Sequence, residues 1–294
     1  MYYLLSLLSG FIIAFMILFN GMFTQQYGVH TATVFIHITG LLFITAIVLI
    51  KRARPFEKRH PWFLYLGGAI GIITTVSNNV AFGRISVSAL LALVLLGQSI
   101  SGLAFDQFGW LGMSRHPFNK RRIIGLALTI CGIAVMIDRF DTLAVLLSFL
   151  AGCTIVLSRT LNARLAGLSS VGVSTFFNYL VGTSLSIPVF LILGMNEPVF
   201  SGLTVSPNPL IYIGGIIGAC LILISNIIVT KIPAFYLSLI LFIGQVLMGI
   251  IIDAFIAQSF SITILLGGFL VAAGLCVDLF LNKNSKGDRS RPPA

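Results

Sequence analysis

Two blocks of the sequence carry polar side chains at a spacing that could do chemistry inside an apolar helix. In GQSISGLAFDQF, Gln98, Gly102 and Asp106 stand four residues apart, and in GQVLMGIIIDAF so do Gln245, Gly249 and Asp253. Positions i, i+4 and i+8 fall within about 80° of one helix face, at roughly 100° per residue. Each set runs about 12 Å along its axis, at about 1.5 Å per residue. A side-chain amide both donates and accepts hydrogen bonds, so Gln98 and Gln245 are candidate substrate-binding residues. A poorly hydrated carboxylate has a raised pKa and could exchange protons near neutral pH, which makes Asp106 and Asp253 candidate proton-coupling residues. The bland alternative for each Asp is that it ends an apolar run and bonds backbone or loop groups there. The bland alternative for each Gln is a bond to a neighbouring helix.

A second polar set lies in equally apolar surroundings: Asn20, the pair Asn78 and Asn79, Asn162 and Asn226. Asn79, Asn226, Asn20 and Asn162 are candidate substrate contacts. Their alternative role is interhelical hydrogen bonding, worth about 0.6–2 kcal/mol per contact in membranes. His37 is the only histidine well inside an apolar run. It could titrate near neutral pH, or it could share an aromatic-polar packing role with Tyr179. The four cysteines each stand alone in an apolar run, without metal-ligand spacing or the pattern of a disulfide framework. No metal or cofactor is expected.

The elements that must position these residues are set by composition. Of 294 residues, 57% are hydrophobic and only 9% charged, with a mean hydropathy of +1.06. A soluble domain carries about 25% charged residues, so a soluble enzyme, a nucleic-acid binder and a secreted disulfide scaffold are excluded. A spanning helix uses about 20 apolar residues. Apolar runs at about 3–24, 31–50, 62–82, 86–106, 121–138, 142–162, 171–194, 208–229, 233–253 and 261–281 give ten spans. The opening MYYLLSLLSG has neither the basic region nor the cleavage site of a signal peptide and reads as the first span. With the N-terminus inside, only Arg84 and Arg139 of the 18 Lys and Arg fall on the outer side, in line with the positive-inside bias. Arg159, Arg164 and Lys231 count among the cytoplasmic anchors in this scheme. The net charge of +10 is then a signal of topology, and both termini are cytoplasmic. Residues 283–294, polar and basic, are expected to form a disordered tail.

The chain also repeats itself. Laying residues 4–40 on 146–182 matches Ser6 with Ser148, Gly10 with Gly152, Asn20 with Asn162 and Gly40 with Gly182, while His37 falls on Tyr179. After a short shift, Gly67 meets Gly214, Gly71 meets Gly218, Asn79 meets Asn226 and Arg84 meets Lys231. The two Gln–Asp blocks then coincide without a gap. Two five-span halves, 1–139 and 140–282, enter the membrane from opposite sides because five is odd. The fold expected is an all-α membrane protein of ten transmembrane helices in two inverted repeats, an architecture of secondary transporters with a midplane site. The paired glycines at 67 and 71 and at 214 and 218 make small-xxx-small patterns suited to close helix packing.

These five-helix repeats, with LLGQSISGLAFDQFG and FIGQVLMGIIIDAF, resemble the drug/metabolite transporter superfamily, and most closely its YdcZ-like branch in a two-repeat form. The resemblance covers nearly the whole chain and implies a ten-helix transporter of small metabolites or toxic compounds, often an exporter. One departure matters: small multidrug exporters of that superfamily carry a Glu in the first helix, where this chain offers only Asn20. Their proton-coupling mechanism therefore does not carry over. The function expected is secondary transport of a small molecule across the cytoplasmic membrane by alternating access, with protons as a further candidate partner. A channel, a lipid flippase or a scaffold that transports nothing are the alternatives. No Walker motif, HExxH pair or GxSxG elbow points to ATP drive or to an enzyme. No nucleic-acid partner is expected, and monomer and homodimer are both open.

Overall fold

A computed structural model describes residues 2–110, 122–137, 140–200, 205–228, 234–257 and 262–289. Among them are ten α-helices and no strands. They are α1 (Tyr2–Tyr27), α2 (Val29–Ile50), α3 (Leu66–Ala81), α4 (Val87–Phe108), α5 (Arg122–Met136), α6 (Thr142–Leu168), α7 (Val171–Leu193), α8 (Gly214–Ile228), α9 (Ala234–Ala257) and α10 (Ile262–Arg289). Short 3₁₀ turns, Trp62–Tyr65 and Pro209–Tyr212, lead into α3 and α8. Six segments are long and apolar enough to cross a bilayer, with α5, α8 and parts of α9 and α10 forming shorter apolar helices.

The local chemistry that ends these helices is visible in the sequence. Ser86, Asp141 and Ser170 each accept a backbone N–H at the start of α4, α6 and α7, as good N-caps do. Gly109 closes α4 at φ 64°, a left-handed position suited to glycine. Within the helices, hydroxyls such as those of Ser6, Ser9, Thr24 and Thr33 donate to the carbonyl four residues earlier. That satisfies them without any partner helix. α10 runs through Arg289, over the first residues of the expected tail. Asp138, Arg139, Lys231 and the side chain of Asp106 lie outside the described residues.

Packing follows the repeat. α1 packs on α8 and α9, and α6 on the equivalent α3 and α4; α2 packs on α8, and α7 on α3. The pairs α2 with α7, α4 with α9 and α5 with α10 each join equivalent helices. Exchanging the halves therefore reproduces the contact pattern. Two close glycine crossings are also equivalent. A Cβ on Gly10 would lie 2.9 Å from the Gly244 Cα, and one on Gly97 would lie 3.0 Å from the Gly152 Cα. Only glycine lets these backbones meet.

Two groups result: α1, α2, α8 and α9 on one side, and α3, α4, α6 and α7 on the other. Between them, the stretch Val87–Leu95 of α4 is wholly buried. It packs with Phe242, Val246 and Ile250 of α9, Ile133 and Met136 of α5, and Val271 of α10. This core closes the end of the interface that carries the α3–α4 turn.

Candidate functional site

Behind that core the two groups enclose a cavity of about 240 Å³, near the small end of ligand pockets at about 300–1,000 Å³. Gln98 and Gln245 both line it, as do Asn20, Asn162, Asn79 and Asn226. All six expected substrate contacts thus converge on one space, although they come from α1, α3, α4, α6, α8 and α9. Neither Gln98 nor Gln245 has a side-chain hydrogen bond among the described residues. Asn79 and Asn226, equivalent in the repeat, are both buried, and the Nδ2 of each lacks an acceptor. The Oδ1 of Asn78 and the Oγ of Ser225, also equivalent, lack a donor. Leaving a buried polar group unpaired costs about 1–3 kcal/mol, so four such atoms around one cavity form a site prepared for something absent.

The lining is lopsided. The α3, α6 and α7 wall presents Thr74, Thr75, Asn78, Ser158, Arg159 and Asn178. At the equivalent positions the opposite wall has Leu221, Ile222, Ser225, Met16, Ile17 and Ile36. On the polar wall, Asn162 Nδ2 donates to Asn178 Oδ1 at 2.8 Å, and Ser158 Oγ donates to the Gly67 carbonyl at 2.8 Å. Ser174 Oγ donates to the Asn162 carbonyl at 2.7 Å. Across the cavity, Ile36 replaces Asn178, and Asn20 Oδ1 is left without a donor. His37 and Tyr179 also line the cavity, face each other at a ring-centroid distance of 6.0 Å, and join α2 to α7.

Arg159, counted among the cytoplasmic anchors, sits inside α6, half-buried, with its side chain on the cavity. Its guanidinium has neither an ion pair nor a hydrogen bond among the described residues. Among the described residues no Asp or Glu lines the cavity. On insertion scales, Arg at the centre of a spanning helix costs about 2.5–3.5 kcal/mol. Arg159, Asn178 and the Thr74–Thr75 pair were not singled out from sequence. The available signal was the repeat itself, which sets Arg159 on Ile17 one turn before the Asn20–Asn162 match.

Asp253 stands apart from the cavity. Its carboxylate accepts the backbone N–H groups of Val87 and Ser88, both at 2.8 Å, and the Ser88 hydroxyl. It thus caps α4 from across the interface, where the helix dipole favours an anion. Glu197, after α7, does the same for α2: it accepts from the backbone N–H of His30 and Thr31, each at 2.7 Å, and from the Thr31 hydroxyl. On the same face, Arg84 pairs with Asp141 at 3.2 Å. Asp141 also accepts the Ala144 N–H, and that bond, with Arg84 beside it, holds its carboxyl below the usual carboxylate range.

A polar cavity between two equivalent helix groups calls for a test of the duplication against known sequences. The family described as "Putative inner membrane exporter, YdcZ" matches residues 1–135 and again residues 143–277. The chain belongs to this exporter family. Its two copies of the YdcZ-like unit tile nearly the whole sequence, and its helices make it a multi-pass membrane protein. A search of curated proteins finds no match. Among solved structures, one titled "Crystal structure of protein" superposes with a TM-score of 0.58 at 14% identity, covering 95% of this chain and 98% of that one. At that identity the likeness is one of fold.

Proposed function

We propose that this YdcZ-like protein is a secondary exporter working by alternating access, with the substrate held in the cavity between two inverted five-helix repeats. The observation that carries the reading is the equivalent pair of unpartnered amides, Asn79 and Asn226, one from each half of the chain. The contact pattern, unchanged when the halves are exchanged, supports the same view, since two equivalent arrangements then have similar energy. With both termini cytoplasmic, the face closed by α4, Asp253 and Glu197 is the outer one, and opening it requires both caps to break. Asp253 serves here as a latch, because its oxygens are committed to α4. Asp106 and Asp253 are not assigned as proton carriers.

Alternating access can be tested without knowing the substrate. In a chain with Cys131, Cys153, Cys220 and Cys276 replaced by alanine, Asn79→Cys and Asn226→Cys are each labelled with a membrane-impermeant maleimide. Labelling of each cysteine from either face, in separate conformers trapped by crosslinking, is expected. A cysteine reached from one face only, whatever the conformer, sinks the transporter reading and leaves a scaffold.

A further inference from the structure

We infer that the substrate is a small organic anion with one oxyanion group and an apolar body. This rests on the exporter reading for the movement of the substrate but not for its binding.

The cavity is built as two unlike walls. Among the described residues Arg159 is its only charged lining residue, and that guanidinium has no counter-ion among them. Around it stand the amides of Asn78 and Asn178, whose N–H groups can donate to an oxyanion, among the hydroxyls of Thr74, Thr75 and Ser158, which are already bonded to Thr154, the Gly71 carbonyl and the Gly67 carbonyl. A guanidinium fork matches a carboxylate, sulfonate or phosphate through paired N–H donors. The facing wall is apolar where the polar wall is not: Met16, Ile17, Ile36, Leu221 and Ile222. A cation would meet Arg159 with no carboxylate to offset it. A small inorganic anion would leave the apolar wall facing water. A molecule with an anionic head and an apolar body meets both walls at once.

The same assignment accounts for drive without a proton carrier in the cavity. An interior-negative membrane potential pushes a monoanion outward, so electrogenic efflux runs downhill with no coupled ion.

The probe of choice is benzenesulfonate, which stays ionised at every working pH. Calorimetric binding to the full chain in detergent is compared with benzenesulfonamide (neutral) and benzyltrimethylammonium (cationic). Benzenesulfonate is expected to bind at least ten-fold tighter than either. Arg159→Gln should remove that preference, and Arg159→Lys, which keeps the charge but not the fork, should retain part of it. A cooperative unfolding transition no lower in temperature than the parent's shows that each variant folds. The inference is overturned if the cation binds as tightly as the sulfonate, if no anion binds, or if Arg159→Gln binds benzenesulfonate like the parent.

Efflux from proteoliposomes under an imposed potential separates the two readings. Binding without efflux leaves the anion site standing and removes the exporter. Cysteines that alternate in exposure without anion binding do the reverse.

Discussion

α1 and α6 occupy equivalent places, cross equivalent partners through equivalent glycines and carry Asn20 and Asn162 at the same position along the helix, yet they face the cavity with different chemistry. α1 presents Met16 and Ile17 where α6 presents Ser158 and Arg159. Duplication preserved what positions the backbones: Gly10 against Gly244, and Gly97 against Gly152. Divergence fell on the surface a substrate would touch. Under the alternating-access proposal, a symmetric frame lets both halves close in turn, and an asymmetric lining lets one ligand be read in one orientation.

The largest effect is expected where the helices must remain alike. Gly10→Leu and Gly152→Leu each force a side chain into a facing backbone and should each cost about 3 kcal/mol, the upper range for overpacking. Gly102→Leu, with nothing within 4 Å of its Cβ position, should be nearly silent. Denaturation in mild detergent measures all three. A gap above about 1 kcal/mol between the Gly10 and Gly152 variants would break the equivalence of α1 and α6.

Next comes the latch. Asp253→Ala strands the first amides of α4 and should weaken closure by about 2–3 kcal/mol, given about 1.5–3 kcal/mol for a bond to a charged group. A cysteine at position 79 should then label faster from the outer face. Unaltered labelling would mean that the buried core of α4 alone holds that face shut.

A smaller effect of unusual sign is expected at the divergent position. Arg159→Met makes α6 resemble α1, removes an unpaired cation, and should stabilise the protein by about 1–3 kcal/mol while abolishing transport. Ile17→Arg should cost a similar amount. Stability and activity measured on the same preparations decide this. Loss of both together in Arg159→Met would recast Arg159 as a structural residue.

The smallest effect concerns the Arg84–Asp141 pair, which is exposed and worth little in water. The Asp141 carboxyl is lowered in the folded state by the Ala144 N–H and then Arg84. Its contribution is therefore present above the ordinary carboxylate pKa and is lost as pH falls through the lowered native value. Asp141→Asn should flatten the acid side of the unfolding-temperature profile slightly, lowering it a little above the ordinary carboxylate pKa and leaving it unchanged at the acid extreme.

Much of this was legible in one sequence. The ten apolar runs match the ten helices closely, because bilayer thickness sets their length and no soluble context intervenes. Gln98, Gln245, Asn79 and Asn226 were readable because an amide in an apolar run needs a reason. Arg159 was not, since a rule about charge near span ends sorts by position along the chain and ignores the face of the helix. Asn178 hid behind its neighbour Tyr179, whose match to His37 drew the eye. The capping roles of Asp253 and Glu197 had no local signal: their partners lie 165 and more residues away in sequence.

The pairing of helices also fixes when the molecule can become itself. α1 is made first, but two of its main partners, α8 and α9, leave the ribosome near the end of synthesis, and α4 waits for α6. For most of translation the early helices must stand in lipid with their packing faces bare. The back-bonded hydroxyls of Ser6 and Ser9 let α1 do so with both serines already satisfied. The two halves are thus interleaved rather than sequential, and a nascent chain stalled before α8 would hold a helix with no place to dock.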